Sequence, residues 1–236
     1  MHLITTPFGY FAVFLFLAGF SVLVWKRFAW ACVTALALIP FAAVRFAVGP
    51  VPFSVAEALA LIVAARAVPW AFGRAFWAQA RQVAAPVAIP VGLIVLGLVV
   101  SIAQSPVART GLGILKGWFV VPILLGLVVA VAVRRGAVSR PQVLAGLISG
   151  GAIAAFGAIA QLIAGNLTYD NRLAAWYGSP NYLAMYLAPL AALAFGLGSR
   201  GSGIADEWRT LSRWAGVLTV VPLLATQSWG AIGART

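Results

Sequence analysis

The sequence predicts an all-α fold, a polytopic bundle of about eight transmembrane helices, on three observations. Of its 236 residues 63% are hydrophobic and only 8% are charged, against roughly 25% charged in an ordinary soluble domain. The mean hydropathy is +1.03. Apolar runs of roughly 17 to 25 residues, the length that crosses a bilayer's hydrocarbon, recur from end to end. A water-soluble globule is excluded, because too few ionisable groups are present to wet its surface. Sixteen Lys and Arg against four Asp and Glu give a formal charge of +12 and a pI of about 11.5. In a soluble chain that excess would point to nucleic acid. Beside hydrocarbon spans it is the ordinary outcome of the positive-inside rule, and no nucleic-acid partner is implied.

Breaks at charges and at Pro/Gly clusters place the helices near 7–24, 28–44, 53–68, 86–104, 117–133, 141–164, 180–198 and 214–231, all within one transmembrane domain over residues 1–236. The first has no Lys or Arg ahead of it and is followed by Lys26 and Arg27, the reverse of a cleavable signal peptide, so it is a retained span. The second and third are short and interrupted by Arg45, Gly49, Pro50 and Pro52, which suits tilted or re-entrant segments. Residues 69–85 mix Trp70, Phe72, Phe76 and Trp77 with Arg74 and Arg81. That is the composition of an interfacial helix, with rings at headgroup depth and guanidiniums on phosphates. On the sixth helix Gly146, Gly150, Ala154 and Ala158 recur every four residues, a spacing that lets another helix approach closely. The lone Cys32 allows neither an internal disulfide nor a Cys-based metal cluster, and no metal or cofactor is expected.

Alternate loops carry Lys26 and Arg27; Arg66, Arg74 and Arg81; Arg134, Arg135 and Arg140; and Arg200, Arg209 and Arg213. The poorer set is Arg45, Arg109, Lys116, Arg172 and Arg235. The bias puts the first set in the cytoplasm and the loop at 165–180 outside.

That loop and the helix after it read NLTYDNRLAAWYGSPNYLAMY from Asn166 to Tyr186, the main concentration of polar groups in the chain. Ser179 followed by Pro180 is a helix start: the Ser side chain caps free amides, and Pro is preorganised at the first helical position. The helix N-terminus and Arg172 share one region, a place where a lipid phosphate or pyrophosphate can rest. Trp176 and Tyr177 offer flat apolar faces with polar edges, suited to a sugar ring or to the membrane interface. A plainer reading pairs Arg172 with Asp170 or a headgroup, makes the two rings belt aromatics and lets Asn181 bond a neighbouring helix.

The stretch RLAAWYGSPNYLAMYLAP, from Arg172 to Pro189, resembles the R-x-x-G-x-[FY]-x-[NS]-P-N-x-L-A segment of the O-antigen ligase and polymerase family, with Ala175 where that pattern has Gly. ATQSWGA, from Ala225 to Ala231, is similar to the family's T-x-S-R-G-A, keeping Thr226, Ser228, Gly230 and Ala231, with Trp229 at the Arg position. The resemblance implies a bacterial inner-membrane glycosyltransferase that moves a glycan from an undecaprenyl-pyrophosphate carrier to a sugar hydroxyl at the periplasmic face, without metal or nucleotide sugar. Arg172 would hold the donor pyrophosphate, with Trp176, Tyr177, Ser179 and Asn181 as donor-loop contacts and Thr226 and Ser228 as a second motif. Arg109 and Lys116 are further candidates for phosphate or headgroup contact. Family members continue through more spans and a large loop with another Arg and a His. The resemblance therefore implies an N-terminal portion, inactive alone, with a C-terminal half as an implied partner alongside membrane lipids. The one histidine, His2, is expected to fray at the terminus rather than act as a base. Two alternatives stand beside this reading: a transporter or flippase-like carrier, and a noncatalytic membrane scaffold. Proton coupling is disfavoured, since Glu57 is the only acid close to a span and lies near its end. A soluble nuclease, kinase or metalloenzyme is excluded for want of clustered carboxylates, His/Cys ligands or a phosphate loop.

Overall fold

The computed structural model describes residues 2–4, 6–48, 51–199 and 206–227. They form two compact units, one of Met1–His2, Leu36–Ala43 and Leu144–Thr236, the other of Leu3–Ala35 and Val44–Val143. The described residues are overwhelmingly helical, and among them five helices are long and apolar enough to cross a membrane: Pro7–Lys26, Arg74–Ala103, Ala108–Arg134, Arg140–Ile163 and Pro180–Gly198. At about 1.5 Å per residue, the shortest of these reaches roughly 29 Å.

In the larger unit β1 (His2–Leu3) precedes α1 (Pro7–Lys26), and α2 begins the next segment (Phe28–Ala37). The region expected as one helix over 28–44 does not stay helical. A 3-10 turn follows at Ile39–Ala43, residues that belong to the other unit, and then, again in the larger one, β2 (Val44–Val48) pairs antiparallel with β3 (Val51–Ser54), setting Phe46 opposite Phe53 and Arg45 opposite Ser54. Val and Phe at alternate positions on each side of Gly49-Pro50 favour a hairpin over a span. Those two turn residues lie outside the described ones. His2, expected to fray, belongs to β1 on the free side of β2, and the Ile4 amide donates to the Arg45 carbonyl at 2.8 Å.

Next come α3 (Val55–Ala71), α4 (Arg74–Ala84), a 3-10 turn, α5 (Ala88–Ala103), α6 (Ala108–Ile114), a π-helical turn (Leu115–Val120) and α7 (Val121–Arg134). Ser54 and Glu57 start α3 with a reciprocal capping box. The Ser hydroxyl accepts the Glu57 N–H at 3.1 Å and the carboxylate accepts the Ser54 N–H at 2.7 Å. Lys116 closes on the same carboxylate oxygen at 3.5 Å, donates to the Pro52 carbonyl at 2.7 Å and lies 4.0 Å from the Phe53 ring centre. A Cβ at position 117 would overlap the Glu57 carboxylate, so Gly117 in the π-turn is what lets the acid approach. At the opposite ends of the same helices Trp70 lies under Arg135 and Trp25 under Arg66. Hence α1, α3 and α7 run in one direction. Of the stretch 69–85 expected as one interfacial helix, Arg74–Ala84 form α4, while Pro69 to Ala71 still belong to α3.

In the other unit α8 (Arg140–Ile163) supplies its residues from Leu144 onward, followed by α9 (Pro180–Gly198) and α10 (Asp206–Ala225). Helix α10 begins eight residues before the span expected at 214–231, and Asp206, Glu207, Arg209 and Arg213 occupy its first turns. About twelve apolar residues remain, roughly 18 Å of helix, which is short for hydrocarbon. Likewise α3 is 17 residues long. The small residues of α8 do what their spacing predicts: Ala154 and Ala158 are buried against Leu183, Ala184 and Leu187 of α9 and Leu223 of α10. A Cβ on Gly150 would stand 2.8 Å from the Tyr186 hydroxyl.

Candidate functional site

Helix α8 ends with Gly165 at φ +70, where the Asn166 amide reaches back to the Gln161 carbonyl at 2.9 Å, the left-handed exit that glycine supplies without strain. A tight loop follows. The Thr168 amide and hydroxyl both donate to the Arg172 carbonyl, at 2.9 and 2.8 Å, and the Arg172 amide donates to the Thr168 hydroxyl oxygen at 3.1 Å. Leu173 then plunges into the helix core, fully buried, and its amide donates to the Ala225 carbonyl at 3.0 Å. One burial thus pins the loop to α10 and leaves the preceding Arg172 at the rim.

The Arg172 side chain gathers the residues that sequence reasoning singles out. Its Nε donates to the Thr226 carbonyl at 2.8 Å, one Nη donates to Asn181 Oδ1 at 2.8 Å, and the other lies 3.6 Å from the Asp170 carboxylate. Its side chain is 24% exposed. The guanidinium is therefore neither free, as a bare phosphate site would have it, nor buried. Two of its five N–H donors are spent on protein oxygens. Asp170 is held below the usual carboxylate range, first by the hydrogen bond from the Thr168 hydroxyl and, among lesser causes, by Arg172. Thr226 is fully buried, its hydroxyl turned to the Leu223 carbonyl at 2.7 Å. Ser228 lies outside the described residues, as do Trp229, Gly230 and Ala231.

Ser179 is the N-cap expected of it, extended at φ −157, its hydroxyl accepting the Asn181 amide at 3.2 Å, with Pro180 opening α9. Trp176 and Tyr177 are placed otherwise than as an open sugar platform. The Trp176 indole donates to the Pro40 carbonyl at 2.9 Å and its ring stacks on Phe41, with centres 5.9 Å apart. The Tyr177 ring stacks between Trp176 and Tyr186. Its hydroxyl is buried without a partner among the described residues, and burial pushes its pKa up, so it stays neutral. The Trp176 ring serves packing, its edge entering the gap that Gly157 leaves in α8, and the Tyr177 ring packs on it. Lys116, in the other unit, pairs with Glu57 and donates to the Pro52 carbonyl. Arg109 is exposed at the start of α6.

Ala175 takes φ +50, the left-handed region. The residue at the Gly position of the resembling pattern thus adopts the backbone a Gly would, at a cost of about 1–2 kcal/mol for an L residue. A β-branched side chain tolerates that region still less. Ala175→Val is expected to lower stability in mild detergent by about 1–3 kcal/mol while Ala175→Gly is tolerated. Equal behaviour of the two variants in a denaturant titration would show that the backbone constraint is absent.

Composition and fold define a helical protein with several membrane-crossing helices. Compared with protein-family models, with curated proteins and with solved structures, the chain matches none.

Proposed function

We propose that the chain binds a polyprenyl-pyrophosphate-linked glycan, as the donor site of an O-antigen ligase or polymerase type of glycosyltransferase would. The observation that carries this reading is that one guanidinium joins both stretches of the resemblance, reaching Asn181 in the first and Thr226 in the second. Those bonds orient the remaining Nη donors at the start of α9, the positive end of that helix's dipole, which also favours an anion. A diphosphate would displace the Asp170 carboxylate, an exposed group held to Arg172 by a 3.6 Å ion pair and to the loop by the Thr168 hydroxyl. The departing pyrophosphate would then meet fixed positive charge, the requirement for leaving-group stabilisation. In this reading the 165–180 loop faces the outside of a bacterial inner membrane.

A second reading, a noncatalytic scaffold, is favoured by the inward packing of Trp176 and by the protein partners of Arg172. The test is titration of nanodisc-embedded protein with an undecaprenyl-pyrophosphate oligosaccharide and with its monophosphate counterpart. At least a tenfold preference for the diphosphate, about 1.4 kcal/mol, is expected. Equal binding, or none, leaves the scaffold reading.

A further inference from the structure

In the larger unit the parallel course of α1, α3 and α7 brings their C-terminal ends together, with Lys26 ending α1, Arg134 ending α7 and Arg66 five residues before the end of α3. Helix α4 lies across this rim. Phe76 and Ala80 on its apolar side are buried with Val131 of α7, against Trp70, Ala71 and Leu127. Its polar side meets two adjacent arginines: Arg135 Nε donates to Gln79 Oε1 at 3.0 Å, and Arg134 donates to the Gln82 side-chain oxygen. The Arg135 guanidinium also lies 5.1 Å from the Trp70 ring centre and 6.0 Å from that of Phe76. Arg66 sits 5.0 Å over Trp25, its Nε buried without a partner among the described residues.

Three features separate this rim from cations that merely hold topology. Its guanidiniums are immobilised on amide oxygens and ring faces, whereas a topological cation needs only to reach water. Nothing in the unit neutralises them: its one acidic residue, Glu57, is engaged with Lys116 at the other end of α3. Adjacent like charges fixed without a counter-ion repel, and an anion from outside the chain relieves that cost. The rim also carries an aromatic of the kind that membrane interfaces favour. The Trp77 ring is 54% exposed while its indole N–H is satisfied by the Ala71 carbonyl at 2.8 Å, the half-apolar, half-wet setting of an interface aromatic.

We propose that the rim formed by α3, α4 and α7 is a binding site for the headgroup phosphate of an anionic phospholipid, with Arg134 and Arg135 as its fixed cations and Trp77 against the acyl boundary. Neutral acceptors on these arginines leave further Nη donors for phosphate oxygens. Basic pockets between helices attract anionic lipid headgroups.

The experiment titrates the purified full chain in neutral detergent with phosphatidylglycerol, phosphatidylcholine or inorganic phosphate, counting bound lipid by native mass spectrometry and following thermal unfolding. Phosphatidylglycerol is expected to be retained about tenfold more strongly than phosphatidylcholine and to raise the melting temperature. Arg134→Gln/Arg135→Gln abolishes the preference, whereas Arg45→Gln, which removes charge at the opposite end of α3, retains it. If the double variant fails to fold, Arg74→Gln/Arg81→Gln, at exposed positions of α4, is expected to weaken the same preference. Equal retention of the two lipids, equal loss in Arg45→Gln, or full competition by inorganic phosphate would each overturn the proposal.

Discussion

Arg172→Ala is expected to weaken binding of an undecaprenyl-pyrophosphate glycan by about ten- to a hundredfold, since a hydrogen bond to a charged group contributes roughly 1.5–3 kcal/mol and each 1.4 kcal/mol is tenfold. The substitution also removes the bonds to Thr226 and Asn181, so loss of binding by itself would not separate a ligand site from a structural clasp. Asp170→Asn separates them by sign. The Asp170 carboxylate is the charge a diphosphate must displace, 3.6 Å from the guanidinium. If Arg172 receives the ligand, deleting that charge while keeping a side chain of the same shape tightens binding. A purely structural Arg172 predicts the reverse, a looser loop and no gain for any lipid. Arg172→Lys completes the set: it keeps the charge but loses the fork that reaches Thr226 and Asn181 together, so intermediate binding is expected. Isothermal titration of the three variants in nanodiscs measures all of this. Weaker binding in Asp170→Asn would remove Arg172 from the donor site.

How much of this was readable from the chain depends on sequence distance. The Ser179-Pro180 start of α9 is local chemistry, and the helix opens at Pro180 as expected. The four-residue spacing on α8 is equally local and finds its neighbours in α9 and α10. The hairpin at Val44–Ser54 was missed because apolar content is the same for a strand as for a span. The signals against a span were present in the alternating Val and Phe around Gly49-Pro50. A capping box is a four-residue pattern, yet S-V-A-E at Ser54–Glu57 was passed over, hidden inside an apolar run. The candidate site divides the same way. Arg172 and Asn181 fall within one quoted stretch, but the bond from Arg172 to Thr226 spans 54 residues, and no periodicity or spacing announces it. The inward turn of Trp176 was illegible for the same reason, since its partners Pro40 and Phe41 lie far back in the chain.

Gly157→Ala is expected to destabilise the protein by about 2–4 kcal/mol, because a methyl at this position overlaps the six-membered ring of Trp176 and forces it from its seat, a packing cost of roughly 1–3 kcal/mol. Displacing the ring also breaks the indole bond to Pro40, about 1 kcal/mol, and disturbs the stack on Phe41. Helix propensity acts in the opposite direction: alanine in place of an interior glycine should stabilise by about 1 kcal/mol. The sign of the measured change therefore decides whether α8 and the Trp176 loop are in contact. Gly126→Ala in α7, where an added methyl meets nothing within 4 Å, supplies the comparison and should be neutral or stabilising. A double-mutant cycle sharpens the test. In a Trp176→Ala background no ring is left to evict, so the Gly157→Ala penalty should vanish and the residual helix gain should emerge. Unfolding in mixed micelles, followed by circular dichroism, reads all four corners of the cycle. An equal penalty in both backgrounds would mean that Trp176 does not rest on Gly157. The rigid route from α8 through the indole to the loop bearing Arg172 would then be lost, and with it the reason that guanidinium is held in place.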